Sequence, residues 1–259
     1  MTRTRRPPTA HPSDRPPPEA PHRPGWVPRR DLRTTPDPDA GTGPAEGPEA
    51  PGGTRPSRPA WALPAALATM AVVYPAAFLL KVVPFWSAMV VLSAVSWWAA
   101  WHPYLRARLR PTRRLVAMGV LSGLALYALF LVGALLVRAT PLWPSVQGVV
   151  ELIRTTAPGG LAVLVIVFGT SPSEEVLWRG AVFARLTRRY GPGWRPVVAT
   201  TAAYGLFVGL SGSLVLALAA LVCGTVWARQ RQVTGSLVPG LVSHALWALL
   251  LFTYIPGLR

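Results

Sequence analysis

Gly159-Gly-Leu-Ala-Val-Leu-Val-Ile-Val-Phe-Gly-Thr-Ser171-Pro-Ser-Glu-Glu-Val-Leu-Trp-Arg-Gly180-Ala-Val-Phe-Ala-Arg-Leu186 is an apolar run long enough to cross a bilayer, interrupted near its middle by two carboxylates and an arginine. A hydrocarbon core about 30 Å thick takes ~20 apolar residues of helix. An ionisable side chain there costs at least ~2.5–3.5 kcal/mol on insertion scales. Glu174, Glu175 and Arg179 are therefore functional candidates if the rest of the chain supports a membrane setting.

The flanking sequence does. Windows that qualify or nearly qualify as spans are 61–80, 84–101, 115–137, 159–186, 196–210, 213–228 and 236–254. The expected fold class is an all-α polytopic transmembrane helix bundle of about seven spans. The fifth and sixth windows are short and read as a tilted pair or a re-entrant hairpin joined at Ser211 and Gly212. Pro141 to Thr156 reads as an amphipathic helix on the outer interface, with Glu151 on its solvated surface.

Charge supports the same reading. The formal charge is +16, a value that would ordinarily suggest nucleic acid. Residues 1–60 hold ten of the basic residues and seven of the acidic ones, and beyond them stand 16 basic groups against three carboxylates, Glu151, Glu174 and Glu175. So few carboxylates on so apolar a chain do not make a soluble surface of mixed sign, and a nucleic-acid partner is excluded. With the N-terminus cytoplasmic, seven alternating crossings put the arginines of 106–114, 185–195 and 229–231 on one side. Only Lys81, Arg138, Arg154 and Arg259 fall on the other, as the enrichment of cytoplasmic loops in Lys and Arg requires. The expected location is the cell membrane, multi-pass, with the lipid bilayer as a partner.

Residues 1–60 contain 16 prolines and almost no aliphatic side chains. They read as a disordered cytoplasmic tail, locally polyproline II, and residues 61–259 as the bundle. No apolar h-region follows the Arg3, Arg5, Arg6 cluster, so a signal peptide is not expected. Cys223 is alone, and His11, His22, His102 and His244 are scattered. No His/Cys zinc pattern results, and no cofactor is implied.

Locally, Ser171-Pro-Ser-Glu174 has the pattern of a helix start, with Ser171 as N-cap, Pro172 at the first position and Glu174 closing a capping box. Glu175 and Arg179 are four apart with the acid first, the better order for a helical ion pair. These two roles need no catalysis. Depth adds another possibility: at 1.5 Å per residue, Glu174 lies ~16 Å above Arg185 and His244 ~12 Å above Ser236. Two helices thus bring a carboxylate and an imidazole to one level, a candidate acid/base pair.

Glu174-Glu175-Val-Leu-Trp-Arg179-Gly180, Gly224, Thr234-Gly235-Ser236-Leu237 and a later helix with a single histidine resemble the CPBP family of intramembrane proteases. That family includes CAAX prenyl endopeptidases and Abi proteins of bacteriocin processing and self-immunity. The resemblance covers about 159–252. It implies a helical chamber in which Glu174 is the base that activates water, Glu175 its neighbour, Arg179 the charge partner and His244 the oxyanion donor. A carboxylate in an apolar site can act as general base, and donors aimed at the oxyanion supply the larger electrostatic effect.

Two positions depart from the family's pattern. Val208 stands four residues after the aromatic Tyr204, where the resemblance expects histidine, or Ser211 does in a register that uses Phe207, and Ala248 stands four after His244, where it expects Asn or Asp. A metal-dependent version needs three protein ligands or more, and Glu174 with His244 leaves too few even if Glu175 is recruited. The expectation is a metal-free intramembrane endopeptidase acting on a membrane-embedded or membrane-associated peptide or protein, impaired by the two absences. The alternative is a catalytically inactive scaffold that binds a membrane peptide. Proton-coupled transport is weaker, because the chain lacks the paired internal repeats of many transporters.

Overall fold

Hydroxyls of Thr112 and Ser213 and a left-handed Gly235 mark helix ends, whereas Pro75 and Pro172 lie inside helical runs. The computed structural model describes residues 59–101, 105–155 and 159–253, all in helices and short connections, with no strand among them. The tail expected over residues 1–60 lies outside the described residues except for its last two positions.

Helix α1 (Ala62–Tyr74) runs into a π-helical turn, Pro75–Leu79. It is followed by α2 (Phe85–Ala100), a short α3 (Leu105–Arg108), α4 (Arg113–Val137) and α5 (Trp143–Thr155). The Thr112 hydroxyl caps α4 by accepting from the Leu115 amide at 3.3 Å, and the Ser213 hydroxyl does the same for the helix Leu214–Thr234 with the Leu216 amide, as N-cap residues do.

Gly159 to Tyr190 is one continuous helical run of alternating character. It comprises α6 (Gly159–Leu164), a π segment (Val165–Thr170), α7 (Ser171–Glu175), a second π segment (Val176–Val182) and α8 (Phe183–Tyr190). The helix-start reading of Ser171 and Pro172 is therefore corrected. Thr170 and Ser171 have right-handed helical dihedrals and Ser171 is no cap. An interior proline lacks an N–H and collides with the carbonyl four residues back. The wider π turn just before Pro172 accommodates it, and π turns often accompany functional sites.

Three helices complete the described residues: α9 (Trp194–Gly209), α10 (Leu214–Thr234) and α11 (Val238–Thr253). α10 outlasts the window expected to end at Ala228. Its polar end faces inward, with Gln230 and Arg231 each 7% exposed. Gln230 Nε2 donates to Ser122 Oγ at 2.6 Å, and Arg231 Nε donates to the Arg179 carbonyl at 3.2 Å. Gly235 ends α10 at φ 66°, the left-handed cap that glycine supplies without strain.

All seven apolar windows are helical. Among the described residues, three helical stretches are long and apolar enough to cross a membrane, Ala62–Leu79, Arg113–Val137 and Leu214–Thr234, while Phe85–Ala100 and Val238–Leu251 are shorter apolar helices. Leu121, Leu129, Leu135 and Leu136 leave α4 with an exposed apolar face. Its other face packs on α11 through Gly119 and Gly123, where a Cβ would lie 2.7 Å from Val242 Cβ and 3.1 Å from the Ser243 carbonyl oxygen. Small residues permit such close backbone approach between membrane helices. This contact fixes α11, and with it the buried His244, against α4. α5 forms where the amphipathic helix is expected, with Val150 buried and Glu151 exposed.

Candidate active site

Adjacent residues of a helix point about 100° apart, so Glu174 and Glu175 face different neighbours. Glu175 turns to α11 and to its own next turn. Its Oε1 accepts from Arg179 Nη1 at 3.1 Å and lies 3.2 Å from His244 Nδ1, the contact an Nδ1–H makes to a carboxylate. The three residues are 1%, 0% and 6% exposed for Glu175, Arg179 and His244. Gly240 makes room, since a Cβ there would come within 2.6 Å of Glu175 Oε2.

Aromatic rings close over this charge cluster. Trp227 of α10 stacks on the His244 ring at 3.9 Å and 17°, and its indole N–H donates to Ser243 Oγ at 3.1 Å. The Arg179 guanidinium sits over the rings of Tyr204 at 4.6 Å and Trp227 at 5.1 Å. Such cation–π contacts gain strength when desolvated. Arg179 Nε and Nη2 have no hydrogen-bond partner among the described residues.

Glu174 turns the other way, toward α1 and α9. The Tyr204 hydroxyl donates to Oε2 at 2.6 Å and the Tyr74 hydroxyl to Oε1 at 3.3 Å. Glu174 is half-buried and lines a cavity of about 140 Å³. Tyr74, Tyr204, Val208, His244 and Ala248 line it as well.

The structure thus brings Glu174 and His244 to one cavity but gives His244 a different carboxylate partner. The carboxylate in direct contact with the His244 ring is Glu175 rather than Glu174, because Gly240 and the register of α11 bring Glu175 to the imidazole. Arg179 pairs with Glu175, as the four-residue spacing suggests. Val208 and Ala248 occupy the cavity wall, so the two positions expected to be polar leave that wall apolar.

Sequence reasoning missed Tyr74, Trp227 and the hydroxyl of Tyr204. Tyr74 offered one signal, a phenol immediately before the proline that ends α1.

A half-buried carboxylate facing a cavity in a bundle of apolar helices defines a class, a helical membrane protein with an ionisable group at an internal cavity. Residues 157–250 match the family model of type II CAAX prenyl endopeptidase Rce1-like proteins, which supports membership of the CPBP family. The match takes in Glu174, Glu175, Arg179, Tyr204 and His244, whereas Tyr74 lies upstream of it. No curated protein and no solved structure matches the chain.

Proposed function

We propose that the protein is an intramembrane endopeptidase in which Glu174 is the general base and His244 polarises the peptide carbonyl. The observation that carries this reading is the shared cavity of Glu174 and His244. A water beside Glu174 gives it a proton and adds to the carbonyl carbon through oxygen. Collapse of the tetrahedral adduct breaks the C–N bond, and Glu174 returns the proton to the leaving nitrogen, giving a carboxylic acid and an amine. One group then serves as base and as acid.

Glu175 and Arg179 serve this chemistry indirectly. Their buried ion pair fixes the imidazole through Nδ1. The substrate is a membrane-embedded or membrane-associated peptide, and the chain is multi-pass with its N-terminus cytoplasmic, crossing about seven times. The tail over residues 1–60 is proposed as a cytoplasmic segment outside the bundle.

A second reading is favoured by the apolar wall at Val208 and Ala248. Absence of a positioned acid/base partner lowers a rate by ~10²–10⁴ and absence of an oxyanion donor by ~10²–10³. A site lacking both can bind a membrane peptide without cutting it.

The experiment is mass-spectrometric detection of cleavage of a pool of synthetic membrane-anchored peptides by purified protein in lipid nanodiscs. Glu174→Gln is expected to abolish cleavage. Binding of peptides by wild type without cleavage selects the scaffold, and equal cleavage by both proteins removes Glu174 from the mechanism.

A further inference from the structure

We propose that Tyr74 is a catalytic residue of this site: its hydroxyl holds Glu174 in the resting protein and moves to the oxyanion as charge leaves the carboxylate. The proposal rests on the endopeptidase reading above and deepens it.

The two phenols on Glu174 are unequal. Tyr204 is bound at 2.6 Å, Tyr74 at 3.3 Å. Hydroxyl-to-oxygen bonds cluster near 2.7–2.8 Å, so the Tyr74 bond is a loose one. The surroundings differ in the same sense. The Tyr204 ring is held by Trp178 at 5.4 Å between centroids and by the Arg179 guanidinium at 4.6 Å. Tyr74 stacks on Phe78, one turn along its own helix, at 5.9 Å. It is the last residue of α1, directly before Pro75 and the π-helical turn. Both hydroxyl-bearing side chains are buried and line the cavity.

The chemistry then moves the charge past Tyr74. In the resting site the negative charge is on Glu174. Breaking the water O–H bond transfers its proton to that carboxylate and neutralises it. The new C–O bond pushes the carbonyl π electrons onto oxygen, so the charge reappears on the adduct in the same cavity. Hydrogen bonds to an ionised acceptor are roughly twice as strong as those to a neutral one. A donor within reach of both sites therefore follows the charge. Collapse of the adduct returns the electron pair to the carbonyl, breaks C–N and takes the proton from Glu174 to nitrogen, and Tyr74 returns to the carboxylate. Donors are needed here, because Val208 and Ala248 contribute none to the wall.

The test uses full-length protein in nanodiscs and 3-methylbutylboronic acid. This probe takes up water at boron to give a tetrahedral boronate anion, releasing a proton to Glu174. It suits a cavity of about 140 Å³, close to the ~150 Å³ space that accepts benzene. Affinity is read from the fluorescence of the tryptophans in the cavity wall, with trigonal 3-methylbutanamide as the comparison ligand. Tyr74→Phe is expected to weaken the boronate at least tenfold and leave the amide within twofold. Tyr127→Phe, on α4, should change neither. With a cleavable peptide, Tyr74→Phe lowers kcat by ~10²–10³ and leaves KM within threefold.

Equal boronate affinity in wild type and Tyr74→Phe overturns the proposal, as does a wild type that binds no boronate. Should Tyr74→Phe fail to fold, the infrared C–O band of Tyr74, labelled in the wild type, decides: it shifts with boronate and not with amide, or the proposal falls. The two claims separate cleanly, since unimpaired cleavage by Glu174→Gln removes the base, whereas unchanged boronate binding in Tyr74→Phe removes Tyr74 alone.

Discussion

His244 takes Glu175 rather than Glu174 as its carboxylate partner, with Nδ1 3.2 Å from Oε1. The two neighbouring acids therefore divide their work. Glu175 is locked into a buried cluster with Arg179 and His244, and Glu174 is left at the cavity wall with two phenols.

Stability should follow that division. Removing one partner of a buried ion pair costs about 3–5 kcal/mol, because the other charge stays buried without compensation. Glu175→Gln and Arg179→Met are each expected to lower the thermal midpoint strongly in detergent. Glu174→Gln keeps one acceptor oxygen and puts an NH2, which can donate to a phenol oxygen, in place of the other, and it should shift the midpoint by a few degrees at most.

Space at Gly240 is a second requirement. A Cβ there would meet Glu175 Oε2 at 2.6 Å, and overpacking typically costs about 1–3 kcal/mol. Gly240→Ala should destabilise by that amount. Gly148→Ala on α5, where nothing lies within 4 Å, should be neutral or raise stability by about 0.5–1 kcal/mol. Equal midpoints for the two variants would contradict the packing described for α11.

Trp227 supports the imidazole by stacking and by one hydrogen bond. Trp227→Phe retains a ring but leaves Ser243 Oγ, in a residue 0% exposed, without that donor. An unsatisfied buried polar group costs about 1–3 kcal/mol, and chemical denaturation should register a loss of that size. No loss would mean that Ser243 finds another partner.

The apolar wall can be repaired. Val208→His together with Ala248→Asn places polar groups where the CPBP resemblance expects them, in a cavity of about 140 Å³. Cleavage should rise at least tenfold over wild type in the nanodisc assay if catalysis is only weakened by their absence. No gain in a folded double variant would favour the peptide-binding scaffold.

How much of this was legible can be judged residue by residue. Hydrophobicity alone located every helix that carries the site, because an apolar stretch has few other stable forms in a bilayer. The Glu175–Arg179 pair followed from its spacing. The start proposed at Ser171 was wrong because capping patterns are local, and a π turn can carry a helix through Pro172. The end of α10 was placed early because Gln230 and Arg231 look like boundary residues until their partners, Ser122 and the Arg179 carbonyl, are known. Which acid meets His244 depended on Gly240 and the α4–α11 contact, both long-range, and a phenol on α1 gives no sequence sign that it will reach Glu174 across 100 residues.

The central claim is that Glu174, facing the cavity with His244, is the base that activates water. Its most direct test is cleavage of membrane-anchored peptides by wild type and by Glu174→Gln, matched for folding by their thermal midpoints. Measurable cleavage by wild type and none by the variant is expected. Equal cleavage by the two folded proteins would contradict it.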